Sequence, residues 1–153
     1  MPSQRFNIIP RLWAELSALA LVAIVLAGCT VTFISSYDEA TDKGITALQK
    51  SVDSLMTQLD QNPLPEYNTM KKSYAAIRTD LSSLLLRNEA RPKNTLTVKQ
   101  LDELKAVLDT LEGQHKANTL NQPMLGPSRD ILNQTFLALL KLELEKKELN
   151  KKE

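Results

Sequence analysis

The sequence predicts an all-α fold, an antiparallel four-helix bundle standing behind an apolar N-terminal segment. Three observations lead there. Four stretches repeat apolar residues at alternating steps of three and four, the seam of helix packed on helix. Connections of about 5–11 residues rich in Pro, Asn and Gly separate them, short enough to make successive helices antiparallel neighbours. The one β-branched patch, Thr30-Val31-Thr32-Phe33-Ile34, falls outside all four stretches.

The first helix is expected over residues 37–61. Ser36 with Glu39 three residues on reads as a capping box, and Asp38 adds negative charge where the helix dipole favours it. Ile45, Leu48, Val52, Leu55 and Leu59 then form the seam, and Asn62-Pro63-Leu64-Pro65 stops it. Gly44, inside this helix, costs about 1 kcal/mol relative to Ala, which suggests close approach of a neighbouring helix. The second helix, 65–90, carries Tyr67, Met70, Tyr74, Ile77, Leu81 and Leu84 and ends before Pro92, because the residue ahead of a proline is pushed out of the helical region.

For the third helix, 98–117, Thr97 and Gln100 form a second capping box, with Leu96 and Leu101 as a hydrophobic staple. Its seam is Leu101, Leu104, Leu108, Leu111 and His115, and residues 118–127 are expected as loop. The fourth helix opens near Ser128 and covers 129–151. Between Phe136 and Leu144 its apolar residues run almost all the way round, the pattern of a deeply buried helix or of one that meets a partner. Phe136, Leu137, Leu140 and Leu144 are the candidate interface. The mixed charges from Glu143 to the end read as a solvated helix terminus, with Glu143–Lys147 and Glu148–Lys152 as i,i+4 pairs.

Composition excludes much of biochemistry. The 153 residues are 42% hydrophobic, 24% charged and 5% aromatic, which suits one domain. Nineteen basic residues against eighteen acidic ones give no basic stripe for nucleic acid. One His and one Cys exclude an intrachain disulfide and a Cys/His zinc cluster. His115 has no acidic or thiol cluster beside it in sequence and reads as a packed seam residue. Asp38, Glu39 and Asp42 lack the ligand series and glycine turn of a calcium loop. Gly44, Gly113 and Gly126 stand alone, so there is no phosphate-cradling loop. No catalytic residue, metal site or cofactor is expected, and nucleic acid is not an expected partner.

The N-terminus is more specific. Arg5 and Arg11 precede a charge-free run from Leu16 to Ala27, too short to be a full bilayer span but suited to a signal-peptide core. It ends in Leu26-Ala27-Gly28-Cys29. This motif resembles the lipobox of bacterial lipoproteins, over residues 1–29 only. The resemblance implies cleavage before Cys29, a diacylglycerol on its sulfur and an acyl chain on its new amino group, leaving 1–28 as signal peptide, 29–35 as tether and 36–153 as bundle. Thr30, where some lineages use Asp to retain lipoproteins at the inner membrane, leans towards the outer membrane, facing the periplasm. Two other readings stay open. Charge is absent from Leu16 through Tyr37, long enough for an uncleaved signal anchor with its N-terminus inside, and a plain secretory peptide is the third.

Leu96-Thr97-Val98-Lys99-Gln100 has the form LTxxQ and resembles a short motif of small helical periplasmic stress chaperones. They carry it twice; here it occurs once and coincides with the capping box. The resulting expectation is a lipid-anchored, non-enzymatic helical adaptor of the cell envelope, partnered by the membrane and by an envelope protein or a second copy through the fourth helix. The alternative is a periplasmic ligand-binding or chaperone-like bundle. The six residues from Thr30 to Ser35 reach roughly 20–25 Å when extended, so the bundle rides close to its membrane.

Overall fold

A computed structural model describes residues 34–151. The expected signal peptide, Leu26, Ala27, Gly28 and Cys29 with it, and the tether up to Phe33 lie outside the described residues. Four helices follow: α1 Glu39–Leu59, α2 Tyr67–Glu89, α3 Thr95–Lys116 and α4 Gln122–Asn150. Each packs against its two neighbours, with α4 returning to α1 to close the ring. Contacts at the ends show the directions. The start of α1 meets the end of α2 through Asp38 and Arg87, and the start of α3 meets the end of α4 through Thr97 and Glu143. At the other end Tyr67 reaches Glu112, and Gln122 reaches the carbonyl of Gln61. The arrangement is the up-down-up-down bundle expected.

The seams account for it. Ile45, Leu48, Val52, Leu55 and Leu59 of α1 are buried, as are Met70, Tyr74, Ile77, Leu81 and Leu84 of α2 and the whole expected row of α3. Helices of this length are marginal alone in water, so the fold depends on burying these four rows against one another. Tyr67 is only partly buried, at the rim of the core.

Three helix starts differ from the sequence reading. In α1 the cap is Asp38, whose carboxylate accepts from the Thr41 amide at 3.1 Å, and Tyr37 stays outside the helix. Ser36 is not the cap; its carbonyl accepts from Arg91. The helix α3 begins at Thr95, with the Asn94 carbonyl taking the Val98 amide. Thr97 is therefore inside the helix and fully buried, and Leu96 is exposed, so the staple with Leu101 does not form. The largest change is in α4, which begins six residues before Ser128. Pro123 fits the first turn, where its missing N–H is no loss, and buried Leu120 and Leu125 draw the expected loop against the core. Pro127 is thus inside the helix, in its second turn, where its missing N–H leaves the Pro123 carbonyl without its i→i−4 donor.

The expected close approach at Gly44 is present. A Cβ there would meet Leu84 at 2.9 Å, where α1 crosses α2, whereas one added at Gly113 would meet nothing within 4 Å. Gly113→Ala should therefore stabilise the protein by about 0.5–1 kcal/mol. Gly44→Ala gains the same propensity but must displace a packed leucine, and it should be neutral or destabilising. Urea denaturation of both variants tests the contrast; equal gains would show that Gly44 is not a packing site.

Candidate functional site

Each seam ends, towards Ile34, in a polar residue: Thr41 on α1, Asn88 on α2, Thr97 on α3, and Glu143 with Lys146 on α4. All five are nearly inaccessible. Lys146 Nζ donates to Glu143 Oε1 at 2.6 Å, Thr97 Oγ1 at 2.6 Å and Asn94 Oδ1 at 2.9 Å, so the three protons of an ammonium have three acceptors. Thr97 passes its own proton to Glu143 at 3.2 Å. Asn94 Nδ2 donates to Asn88 Oδ1 at 2.6 Å, and Asn88 Oδ1 lies 3.2 Å from the Thr41 hydroxyl. That hydroxyl is also 2.7 Å from Asp38, which Arg87 grips through two nitrogens and Arg91 approaches at 3.4 Å. One continuous polar layer therefore joins all four helices.

This layer also holds the incoming chain. The Ser35 amide donates to the Lys93 carbonyl at 3.0 Å, and its hydroxyl donates to Asn94 Oδ1 at 2.7 Å. The chain is clamped at Ser35, before α1 begins. Outside the layer, Lys147 lies 5.3 Å from the centre of the Tyr37 ring, a cation–π contact. The Tyr37 hydroxyl donates to Asp42, and that bond raises its phenol to about 12.

The sequence reading of the C-terminal charges needs correction here. Glu143 and Lys146 are not part of a solvated terminus, and Glu143 pairs with Lys146 rather than Lys147. The 3-4 spacing carried the signal: Leu132, Phe136, Leu139, Glu143 and Lys146 lie on one row, and the last two turn inwards with the rest. The same spacing extended by one step would have found Thr41, Asn88 and Thr97.

At the opposite end His115 sits in the core. Its Nε2 is 2.8 Å from the Pro65 carbonyl, which only accepts, so Nε2 carries a proton; Nδ1 pairs with the Tyr74 hydroxyl at 3.1 Å. Tyr67 meets the imidazole edge-on, and burial pushes the Tyr74 phenol well up from its ordinary value. Both ring nitrogens are engaged in holding the α1–α2 connection and α2 to α3.

Of the candidate interface, Phe136 is withdrawn into the core at 3% exposure, because it lies on the row of Leu132 and Leu139. Leu140 is half-buried against the core. Leu137 and Leu144, one heptad apart, are about half exposed and form an outward stripe. Elsewhere α3 and α4 enclose an open, largely apolar groove of about 490 Å³ near their connection, lined by Val107, Leu111, Met124, Pro127 and Ile131 among others. No described helix is long and apolar enough to cross a membrane. No protein-family model matches this chain, and neither a curated protein nor a solved structure matches it. Its reading rests on its own chemistry.

Two predictions follow from the polar layer. Lys146→Met leaves the Glu143 carboxylate buried without its counter-charge and should cost about 3–5 kcal/mol, whereas Glu143→Leu combined with Lys146→Met should recover most of that loss. Urea denaturation of the single and double variants measures both, and a double variant no better than the single one would contradict the account. The second concerns Asp38, held well below the ordinary carboxylate value of 3.8 chiefly by its hydrogen bonds from Arg87. A depressed folded value means this stabilisation is complete above the ordinary value and is lost as pH falls below it. Stability should thus decline below about pH 4, and Asp38→Asn should flatten that decline in an acid series of thermal melts.

Proposed function

We propose that this protein is a lipid-anchored lipoprotein of the bacterial cell envelope that works as a non-enzymatic helical adaptor close to its membrane. Leu26-Ala27-Gly28-Cys29 carries the reading, closing an apolar run behind Arg5 and Arg11. Cys29 bears a diacylglycerol and an N-acyl chain. Each buried methylene contributes about 0.8 kcal/mol, so two or three chains hold the protein firmly where one would not. The outer membrane, on its periplasmic side, is the favoured site because Thr30 follows the cysteine.

Two features of the bundle support the adaptor role. The clamp on Ser35 ties the tether rigidly to all four helices, which suits a module that presents a surface at a set height. The single imidazole is spent on the Pro65 carbonyl and Tyr74. A protein partner or second copy would meet the outward stripe of Leu137 and Leu144, with Leu140 behind it. The apolar groove between α3 and α4 favours a second reading, a ligand-binding or chaperone-like bundle.

The mature mass decides the anchor. Wild type should begin at residue 29 with acyl groups attached, and Cys29→Ala should lose them; an unprocessed wild-type chain starting at Met1 overturns the reading. Cross-linking in intact cells then separates the roles. A few specific neighbours, lost in Leu137→Asp with Leu144→Asp, are the outcome expected of an adaptor, whereas many unfolded clients would favour the chaperone.

A further inference from the structure

We propose that the tether end of the bundle is itself a bilayer contact, a face that rests on lipid rather than standing clear of it. The inference rests on the reading of residues 16–29 as a membrane attachment, and it adds a second, separate contact to it.

The observation is where the exposed apolar side chains fall. Seven large hydrophobic residues are exposed among the described ones, and five of them gather around the polar layer: Ile34, Leu86, Leu96, Leu144 and Leu149. Single exposed leucines are ordinary, but their distribution here is uneven, with five of the seven near one end of the bundle. Ile34 precedes the clamped Ser35. Leu96 is in the first turn of α3, where side chains lean towards the helix N-terminus and here out over the end. Leu149 lies three residues beyond Lys146, about 4.5 Å further along α4. Leu86 and Leu144 flank the same end, a turn or less above it.

Chain length selects the occupant. From Cys29 to the clamped Ser35 the chain spans at most about 22 Å fully extended, and less in any relaxed conformation. A bundle leashed that tightly at this end offers it to the membrane and to little else. The charges say which lipid feature is met. Arg87 and Arg91 are taken by Asp38, Lys146 by Glu143, Lys151 by Glu148 and Lys43 by Glu39. Lys147 lies over the Tyr37 ring and Lys99 is exposed, so with most of its cations engaged internally this end contacts the acyl boundary chiefly through apolar side chains.

The test uses the full-length protein purified from membranes and reconstituted in zwitterionic phosphatidylcholine vesicles carrying a nitroxide on the acyl chain near the headgroup. Leu96→Cys, Leu149→Cys and, from the far end, Ile131→Cys are each labelled with an environment-sensitive fluorophore. All three positions are exposed, so the fold should survive. Residues at the tether end should be quenched about threefold or more over position 131, as for side chains lying about 5–10 Å into the headgroup boundary. Anionic lipid or 0.5 M salt should change this by less than about a quarter, since screening acts on unpaired charge. Acylated protein that floats with the vesicles but is quenched no more at 96 and 149 than at 131 overturns the contact and leaves the anchor standing. If the mass shows no acyl groups, the anchor reading fails, and the same measurement in a Cys29→Ser background decides the contact. Quenching at 96 and 149 then supports it, and none overturns it.

Discussion

The constraint on which the rest of this structure depends is the buried ammonium of Lys146. Taking a charge out of water costs several kcal/mol unless every proton finds an acceptor in good geometry. Here the acceptors come from three places: Glu143 one turn back on α4, Thr97 on α3, and Asn94 in the α2–α3 connection. A leucine at position 146 would tolerate a sliding α4; three short directional bonds do not. The pair thereby sets the register of α4 against α3. Apolar seams are forgiving, since leucine rows in four similar helices can mesh at more than one offset. A layer whose ammonium is fully partnered at one offset and orphaned at the next removes that freedom, even though Glu143 Oε2 is left without a partner.

The same layer turns a local requirement into a mechanical one. Asn94 is the shared node, accepting from Lys146 and Ser35 and donating to Asn88. Asn88 leads to Thr41, Thr41 to Asp38, and Asp38 to Arg87 and Arg91. A pull on the chain at Ser35 is therefore not borne by a frayed helix start. It enters a network that touches every helix, backed by the leucine core above it. The opposite end is built differently, with Tyr67, Tyr74 and His115 as an aromatic plug whose hydrogen bonds close the α1–α2 connection. The two ends of the bundle are chemically distinct: ionic and clamped where the chain enters at Ser35, aromatic and grooved where α3 turns into α4.

Much of this was legible in the sequence, and the boundary between what was and what was not has a physical cause. Spacing of apolar residues reports burial directly, so the seams of α1, α2 and α3 could be read residue by residue, down to His115 as a packed side chain. The near-continuous apolar run of α4 hid which of its residues face inwards. Close approach at Gly44 was legible because glycine inside a helix needs a reason. Helix starts were less so. Ser36 and Thr97 satisfy the local rule for a cap, but Asp38 wins because Arg87 of α2 and Arg91 just beyond that helix stand beside it, and Thr97 is drawn inside by Lys146. Those partners lie 46 or more residues away in sequence, beyond any local window. The charged end of α4 was misread for the same reason. Mixed signs at a terminus usually mean solvent, and only the continuation of the 3-4 row through Glu143 and Lys146 says otherwise.

The exposed leucine stripe on α4 runs from Leu137 to Leu144, up to the polar layer, whereas the apolar groove lies at the far end, and the two surfaces differ in what they can meet. The end where the chain enters spends most of its polar groups internally, Glu143 Oε2 excepted, and leaves apolar side chains at its rim. The stripe of Leu137 and Leu144 has a heptad repeat, the spacing that a partner helix can match. The clamp at Ser35 fixes where the packed bundle begins. The buried charges are thus placed where rigidity matters most, at the point where the chain enters the core.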